Sequence, residues 1–285
     1  MIEFATIQFN DDILSKYATL FSNCFPTTNK YSQVYLRWLY CNNPAGRAVG
    51  FDAWDGDKLA AHYVCIPVSA SVGGQAVKVL LSLNTATHPA YQGRGLFTKL
   101  AEMTYVLGAE KGFDSIYGVA NANSTPGFIR KLGFQLVEPL SARVGVGRLH
   151  IDFEFSNRAA QFERIWSPNC LDWRCSNPHN AIFQREQRGV AQFQAAAFGR
   201  LLPVYAELSS KVMVGVNNTS WRPLSPARLF LGLVPSGACK FNQYFDIPQR
   251  LRPSPLNFIY RSLSTHVPKL EKGVVSLSFL DFDAY

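Results

Sequence analysis

The residues with the plainest chemical capacity are Gln92-Gly93-Arg94-Gly95. Before them, Leu80 to Thr87 is short, apolar and rich in β-formers, and Pro89 stops it, so a buried strand is expected there. After them, Leu96, Leu100, Met103 and Leu107 recur at helical spacing until Gly112 ends the run. The two glycines therefore stand at the mouth of a helix. Lacking Cβ atoms, they let a ligand approach the backbone, and the free N–H groups of the first turn, with the helix dipole, favour an anion. A pyrophosphate suits that place, and Arg94 adds a cation beside it.

The loop excludes two common phosphate binders. A dinucleotide fingerprint needs a third glycine where Thr98 stands. Asp114 falls about 20 residues beyond the loop, as a ribose-binding acid would, but it precedes the next strand rather than ending it. No Gly-Lys-Ser or Gly-Lys-Thr follows a glycine loop, so the NTPase pattern is absent. Downstream comes a strand at Ser115 to Ala120, then Asn121 and a short helix that Ser124 or Thr125 caps, Pro126 opens and Gly133 closes before Phe134.

These two stretches resemble motifs A and B of the GNAT superfamily of N-acyltransferases, a likeness that covers roughly residues 1 to 150. The resemblance implies an α+β fold with a mixed, mostly antiparallel sheet, splayed in the middle and flanked by helices. It also implies an acyl-coenzyme A cosubstrate and no metal. The residues that would hold the cosubstrate are Thr85, Ala86 and Thr87 on the strand, Gln92 to Gly95 with Leu96 and Phe97 in the loop and helix start, and Asn121, Asn123 and Phe128 in motif B. Backbone N–H groups around Ala86 and Thr87 would face the developing oxyanion.

A chain of 285 residues has room for one large or two ordinary domains, and 47% apolar with 17% charged residues describes an ample core. The start lacks a basic region followed by an apolar run, and no stretch approaches the roughly 18 uninterrupted apolar residues of a membrane span, so a cytoplasmic protein without membrane insertion is expected. The six cysteines form no Cys-x-x-Cys pair and read as reduced thiols. The net charge of +8 calls for acidic partners. The basic residues are scattered and no nucleic-acid-binding signature is present, which favours small anions such as coenzyme A and a nucleotide-linked acceptor over nucleic acid.

Before the loop, a strand at residues 2 to 9 leads to a helix with Ile13, Leu14, Tyr17, Leu20 and Phe21 on one face, capped by Asn10 or Asp11. A second helix, Ser32 to Tyr40, carries Tyr35 and Trp38. The Asp55-Gly56-Asp57 turn joins two strands into a hairpin, and Gly73-Gly74 turns into the strand that precedes the loop. In the family, the helices form a wall of the acceptor site, so Tyr35, Trp38 and Asn84 are candidate substrate-binding residues, with core packing the alternative for the two rings. Beyond residue 150 the chain starts again. Leu171-Asp-Trp-Arg-Cys-Ser-Asn-Pro178 echoes Leu36 to Pro44, and hairpin-like strands follow from Ala181 to Phe198. Further strands are expected at Arg228 to Val234, Asn257 to Ser262 and Val274 to Phe282. Residues 151–285 thus form a second, degenerate GNAT-like domain. Its glycines, Gly199, Gly215, Gly232, Gly237 and Gly273, make no Gly-x-Gly loop, so one coenzyme per chain follows. Its arginines and rings, among them Trp221, Arg222, Tyr244 and Tyr260, suit a nucleotide diphosphate at the acceptor pocket.

The proton-moving groups stay open. The family often places a tyrosine where this chain has Ile129, so Asn123, Ser124 or Tyr117 would protonate the thiolate, or it departs unassisted. Base candidates are His62 on the third strand, His88, a water chain, and Asp281 with Asp283, which alternation puts on one side of a strand. The resemblance extends to enzymes that acylate nucleotide-linked amino sugars for surface polysaccharide. It implies transfer of an acetyl or short hydroxyacyl group to the amine of a dTDP- or UDP-linked aminodeoxysugar. An aminoglycoside or protein amine, or an acyl-coenzyme A sensor without turnover, are the alternatives. The oligomeric state is not encoded in any motif.

Overall fold

The computed structural model describes residues 1–209, 223–252 and 254–283. Gly215, Trp221 and Arg222 lie outside them. The first half runs β1 (Ile2–Thr6), α1 (Asp11–Cys24), α2 (Gln33–Cys41), β2 (Val49–Asp55), β3 (Lys58–Val72), β4 (Gln75–Thr87), α3 (Leu96–Glu110), β5 (Ser115–Ala120), α4 (Thr125–Lys131) and β6 (Gln135–Pro139). Local chemistry starts these helices where expected: the Asn10 and Ser32 side chains accept from the N–H groups of Ile13 and Tyr35. α4 differs, since its N-cap Ser124 makes no side-chain cap bond. α3 presses Leu96, Leu100, Ala101 and Tyr105 into the core, and Gly108 lets it approach so closely that a Cβ would lie 2.8 Å from Leu80.

The chain continues through β7 (Ser141–Val146), α5 (Phe153–Ala159), β8 (Phe162–Arg164), α6 (Pro168–Cys175), β9 (Phe183–Gln187), β10 (Val190–Ala197) and β11 (Gly199–Ser209). Then come β12 (Ala227–Gly232), β13 (Tyr244–Asp246), β14 (Asn257–Ser262) and β15 (Val275–Ser276). The first sheet has the order β1-β2-β3-β4-β5-β14-β6 and the second β13-β7-β12-β11-β10-β9. From β2 to β6 the pairings are antiparallel, antiparallel, parallel, antiparallel, antiparallel. From β9 to β13 the sequence of pairings is the same. The second half thus repeats the first, and the halves exchange one strand each: β7 enters the second sheet and β14 the first. Each sheet takes a strand from across residue 150.

The echoed tryptophans meet at the symmetry centre. Trp38 and Trp173 stack at 4.8 Å, and each indole N–H donates to the other residue's carbonyl at 3.0 Å. Both N–H groups are buried, so these reciprocal bonds satisfy donors that would otherwise cost about 1–3 kcal/mol each. Asn43 and Asn177 repeat a turn in which Oδ1 accepts from the N–H two residues on. The expected strand at 274–282 is the exception. Strand structure stops at Ser276, and Phe279–Asp281 is a 3-10 helix with Ser278 and Asp281 in a capping box. Strand alternation therefore does not govern Asp281 and Asp283.

Candidate active site

Two local features open the first sheet. Opposite His62 and Val64 of β3 stand Ala86 and Leu83 of β4, so β4 carries one extra residue there. This bulge holds Asn84 at φ 45°, a left-handed conformation that asparagine tolerates better than most residues. The parallel ladder between β4 and β5 ends at Ser82–Gly118, and beyond it the strands part. The gap is a cavity of about 660 Å³.

Along one wall run Ser82, Asn84, Thr85 and Thr87; along the other, Gly118, Asn121, Asn123 and Ser124. Phe97 and Phe128, which pack edge to face, and Asp283 complete its lining. Gly93 and Gly95 have φ 77° and 74°, as a tight loop before a helix requires. Consecutive N–H groups from Gly93 to Thr98 meet no acceptor among the described residues. These are the N–H groups of the glycine loop and of the first turn of α3. Arg94 is exposed and lies over the Tyr91 ring, and Gln92 reaches back to the Thr87 carbonyl at 3.5 Å.

Other candidates are placed elsewhere. Leu96 and Ala86 are buried in the core and do not line the cavity. Asn121 accepts from Asn123 N–H, Ser124 N–H and the Ser124 hydroxyl, so this turn shapes α4's entry. Tyr117 donates to the Asp281 carbonyl at 2.6 Å and faces away from the gap. Ile129 packs against the core of the first sheet. Trp38 is sequestered at the symmetry centre, and Tyr35 stands behind Asp283, to which its hydroxyl donates. Neither ring lines the cavity.

His62 is fully buried and does not line the cavity, so it cannot touch a substrate there. It belongs to a chain of hydrogen bonds. Its Nδ1 lies 2.6 Å from Asp52 Oδ1, its Nε2 3.1 Å from the Tyr40 hydroxyl, and Tyr40 accepts from Asn84 Nδ2 at 3.1 Å. Asp52 fixes the proton on Nδ1, so Nε2 accepts from Tyr40, whose oxygen is then the acceptor for Asn84. Direction is set along the whole chain, and it leaves the Asn84 Oδ1 as the atom available to a ligand. Burial, followed by neighbouring groups including Asp52, holds the Tyr40 phenol well above its ordinary pKa, so it remains a neutral link.

Asp281 and Asp283 part company because the 3-10 helix turns the chain between them. Asp281 accepts from Trp166 Nε1, Ser278 N–H and the Ser278 hydroxyl, away from the cavity. Burial raises its pKa even against the Arg164 guanidinium. Asp283 enters the cavity. Lys30 Nζ is 2.9 Å from its Oδ2 and Arg174 3.6 Å from its Oδ1, all three side chains being nearly buried. Arg174 also donates to the carbonyls of Phe279, Leu280 and Phe282, which pins the C-terminal segment. Asp283 Oδ1 has no hydrogen-bond donor.

Phe25, Tyr31, Ser82 and Phe282 also line the cavity and were not among the sequence candidates. Burial and the nearby Asp283 push the Tyr31 phenol up, so it is a neutral hydroxyl facing the gap. Ser82 joins the Tyr63 and Tyr105 hydroxyls at 2.7 and 2.8 Å in a buried row. Tyr31 precedes a helix cap and Ser82 lies mid-strand, so neither shows a periodic signal.

The splayed mixed sheet with its glycine loop between fourth strand and helix is the GNAT fold, and the second sheet repeats its order of pairings among the described residues. Residues 6–137, a little under half of the chain, match the family model described as an acetyltransferase (GNAT) domain. Among solved structures, a conserved protein of Enterococcus faecalis described as a probable N-acyltransferase shares 10% identity. That alignment covers 92% of this chain and 73% of the other, with a TM-score of 0.61. A GCN5-related N-acetyltransferase from Anabaena variabilis shares 12% identity over 92% and 73%, TM-score 0.56. Eis1 from Mycobacterium abscessus shares 11% over 80% and 65%, TM-score 0.51. At such identities these likenesses speak for the fold alone. No curated protein matches the chain. Among the described residues, no helix is long and apolar enough to cross a membrane, and no three metal-ligating side chains converge.

Proposed function

We propose that the protein transfers an acetyl or short hydroxyacyl group from acyl-coenzyme A to the amine of a dTDP- or UDP-linked aminodeoxysugar. One observation carries the acyl-transfer part: a single cavity is lined both by Phe97, in the first turn after the glycine loop with its unpaired N–H groups, and by Asp283. The amino-sugar part rests on the resemblance and on the basic balance of the chain.

In this reading the Gly93–Thr98 N–H groups bind the pyrophosphate, and the edge of β4 that β5 leaves at Ser82 hydrogen-bonds the pantetheine arm. The bulge at Asn84 and Thr85 turns backbone toward the thioester carbonyl. Asn84 Oδ1 and Asp283 Oδ1 orient the acceptor amine, and Asp283 accepts its proton as the nitrogen attacks. The thiolate leaves with a proton from solvent or from Tyr31, since Ile129 has none to give. Ile129 also supports a second reading, an acyl-coenzyme A sensor without turnover.

Thiol release from acetyl-coenzyme A and longer acyl analogues, measured against a panel of dTDP- and UDP-linked amino sugars, tests the proposal. Release that depends on one amino sugar is the expected result. Silence across the panel, with coenzyme A binding intact by calorimetry, would transfer the acceptor to another amine or leave the sensor.

The hydrogen-bond chain gives a narrower expectation. Tyr40→Phe strands His62 Nε2 and Asn84 Nδ2, and each stranded group costs about 1–3 kcal/mol. Because Tyr40 acts only through Asn84, the acceptor KM should rise roughly tenfold or more while the KM for acyl-coenzyme A stays within about twofold. Equal effects on both KM values would mark a general structural defect and remove Asn84 from the acceptor site.

A further inference from the structure

The narrow end of the main cavity carries polar groups to which the proposed reaction gives no task. Where the ladder between β4 and β5 stops, at Ser82–Gly118, Ser82 lines the cavity and is only partly buried. A Cβ built on Gly118 would lie 3.5 Å from the Ser82 Cβ and 3.6 Å from Ile259 Cγ1, so both side chains stand beside this glycine.

The row of hydroxyls behind Ser82 has a direction, and its far end sets it. Among the described residues the buried Tyr105 hydroxyl has Tyr63 as its hydrogen-bond partner, so its proton goes there or is stranded in the core. The Cys65 thiol, pushed up to about 12 by burial, stays protonated and donates to the same Tyr63 oxygen at 3.8 Å. With two donors on that oxygen, the Tyr63 O–H points to Ser82 Oγ at 2.7 Å. Burial holds both phenols above their ordinary pKa, so the row stays neutral. Ser82 thus accepts from within the protein, and inside the row its own proton finds only the Cys65 sulfur, a weak acceptor. An oxygen in the cavity is the better partner. Carbon surrounds this donor, since Leu81, Leu83, Val119 and Ile259 line the same cavity.

The inference rests on the acyl-coenzyme A reading, in which the arm runs from the glycine loop back along β4 and the thioester lies at the Asn84–Thr85 bulge. The acyl chain then points on toward Ser82, two residues or about 6.7 Å of strand away. An acetyl group ends about 1.5 Å beyond its carbonyl carbon and falls short. The hydroxyl of a 3-hydroxybutanoyl chain lies about 3.8 Å beyond that carbon, and an O–H···O bond of about 2.8 Å completes the span.

We infer that Ser82 reads the acyl chain, and that the cosubstrate is a short 3-hydroxyacyl-coenzyme A whose hydroxyl oxygen accepts from Ser82.

Calorimetry on the whole chain tests this without an acceptor, using coenzyme A and its acetyl, butanoyl and 3-hydroxybutanoyl thioesters, each enantiomer of the last separately. One 3-hydroxybutanoyl enantiomer should bind at least tenfold more tightly than butanoyl-coenzyme A, because the two chains differ only in the oxygen that Ser82 meets. Ser82→Ala should bring that ratio to within twofold of unity. Gly118→Ala sets a methyl group in ordinary contact with Ser82 and Ile259, which the fold tolerates, and narrows the end of the cavity. It should weaken both four-carbon thioesters at least fivefold relative to acetyl-coenzyme A, a readout that holds even if Ser82→Ala does not fold. Equal affinity for butanoyl and both 3-hydroxybutanoyl thioesters would overturn the inference. So would a Ser82→Ala protein that keeps the preference, or a folded Gly118→Ala protein with the wild-type ranking of chain lengths. Failure of coenzyme A itself to bind removes the cofactor reading and this inference together, whereas coenzyme A binding with indifference to the acyl chain removes this inference alone.

Discussion

Gly95→Glu is expected to abolish coenzyme A binding, by at least 100-fold in calorimetric affinity, while the protein stays folded. Three effects act together. Gly95 sits at φ 74°, and forcing a side chain into that region costs about 1–2 kcal/mol, which the loop relieves by moving its N–H groups out of line. The added carboxylate lies where the pyrophosphate would lie, so like charges meet at the positive end of α3. The residue is also exposed, with nothing within 4 Å of a Cβ built on it, so the fold has no reason to fail. Gly95→Ala separates the terms: it carries the backbone strain without the charge and should lose only about tenfold. A folded Gly95→Glu protein with wild-type affinity would remove the basis for reading this loop as a pyrophosphate site.

The second large effect is expected at Asp283. Asp283→Asn leaves Lys30 and Arg174 buried against a neutral amide, and breaking a buried ion pair on one side costs about 3–5 kcal/mol. It also removes the proposed proton acceptor, a contribution of about 10²–10⁴ in rate. Thermal unfolding and kcat/KM should therefore both fall. Lys30→Gln combined with Asp283→Asn distinguishes the two roles. Removing one charge of each sign should restore part of the melting temperature, because one of the two uncompensated cations is gone, and should restore none of the activity. Recovery of both would make Asp283 purely a clamp for the C-terminal segment. Activity that survives in a folded Asp283→Asn protein would move the base elsewhere.

The loop, the helix after it and most strands were legible in the sequence because their signals are local. Gly93 and Gly95 bracket one arginine at a helix start, Pro89 ends a β-rich run, and the Asp55-Gly56 turn sets a hairpin. β14 was legible at its ends, Asn257 and Ser262. The echo of Leu36 to Pro44 at Leu171 to Pro178 was legible too, and the stacked tryptophans show why those residue types recur: each ring covers the other and answers its N–H.

What only the tertiary structure decided is where distant pieces meet. His62 has the chemistry of a base, yet the fold seals it under Tyr40 and Asp52, and its influence reaches the cavity only through Asn84. Asp281 and Asp283 share a sequence pattern and end in different surroundings, because a capping box with Ser278 winds a 3-10 turn where alternation predicts a strand. β7 and β14 are ordinary strands in sequence, and nothing in either says that each completes the other half's sheet. The distinction is physical. Turns, caps and glycine loops depend on a few neighbouring residues, and a sequence carries that information directly. Strand exchange, burial of a histidine and the pinning of Asp283 by Lys30, 253 residues away, depend on the summed packing of both halves.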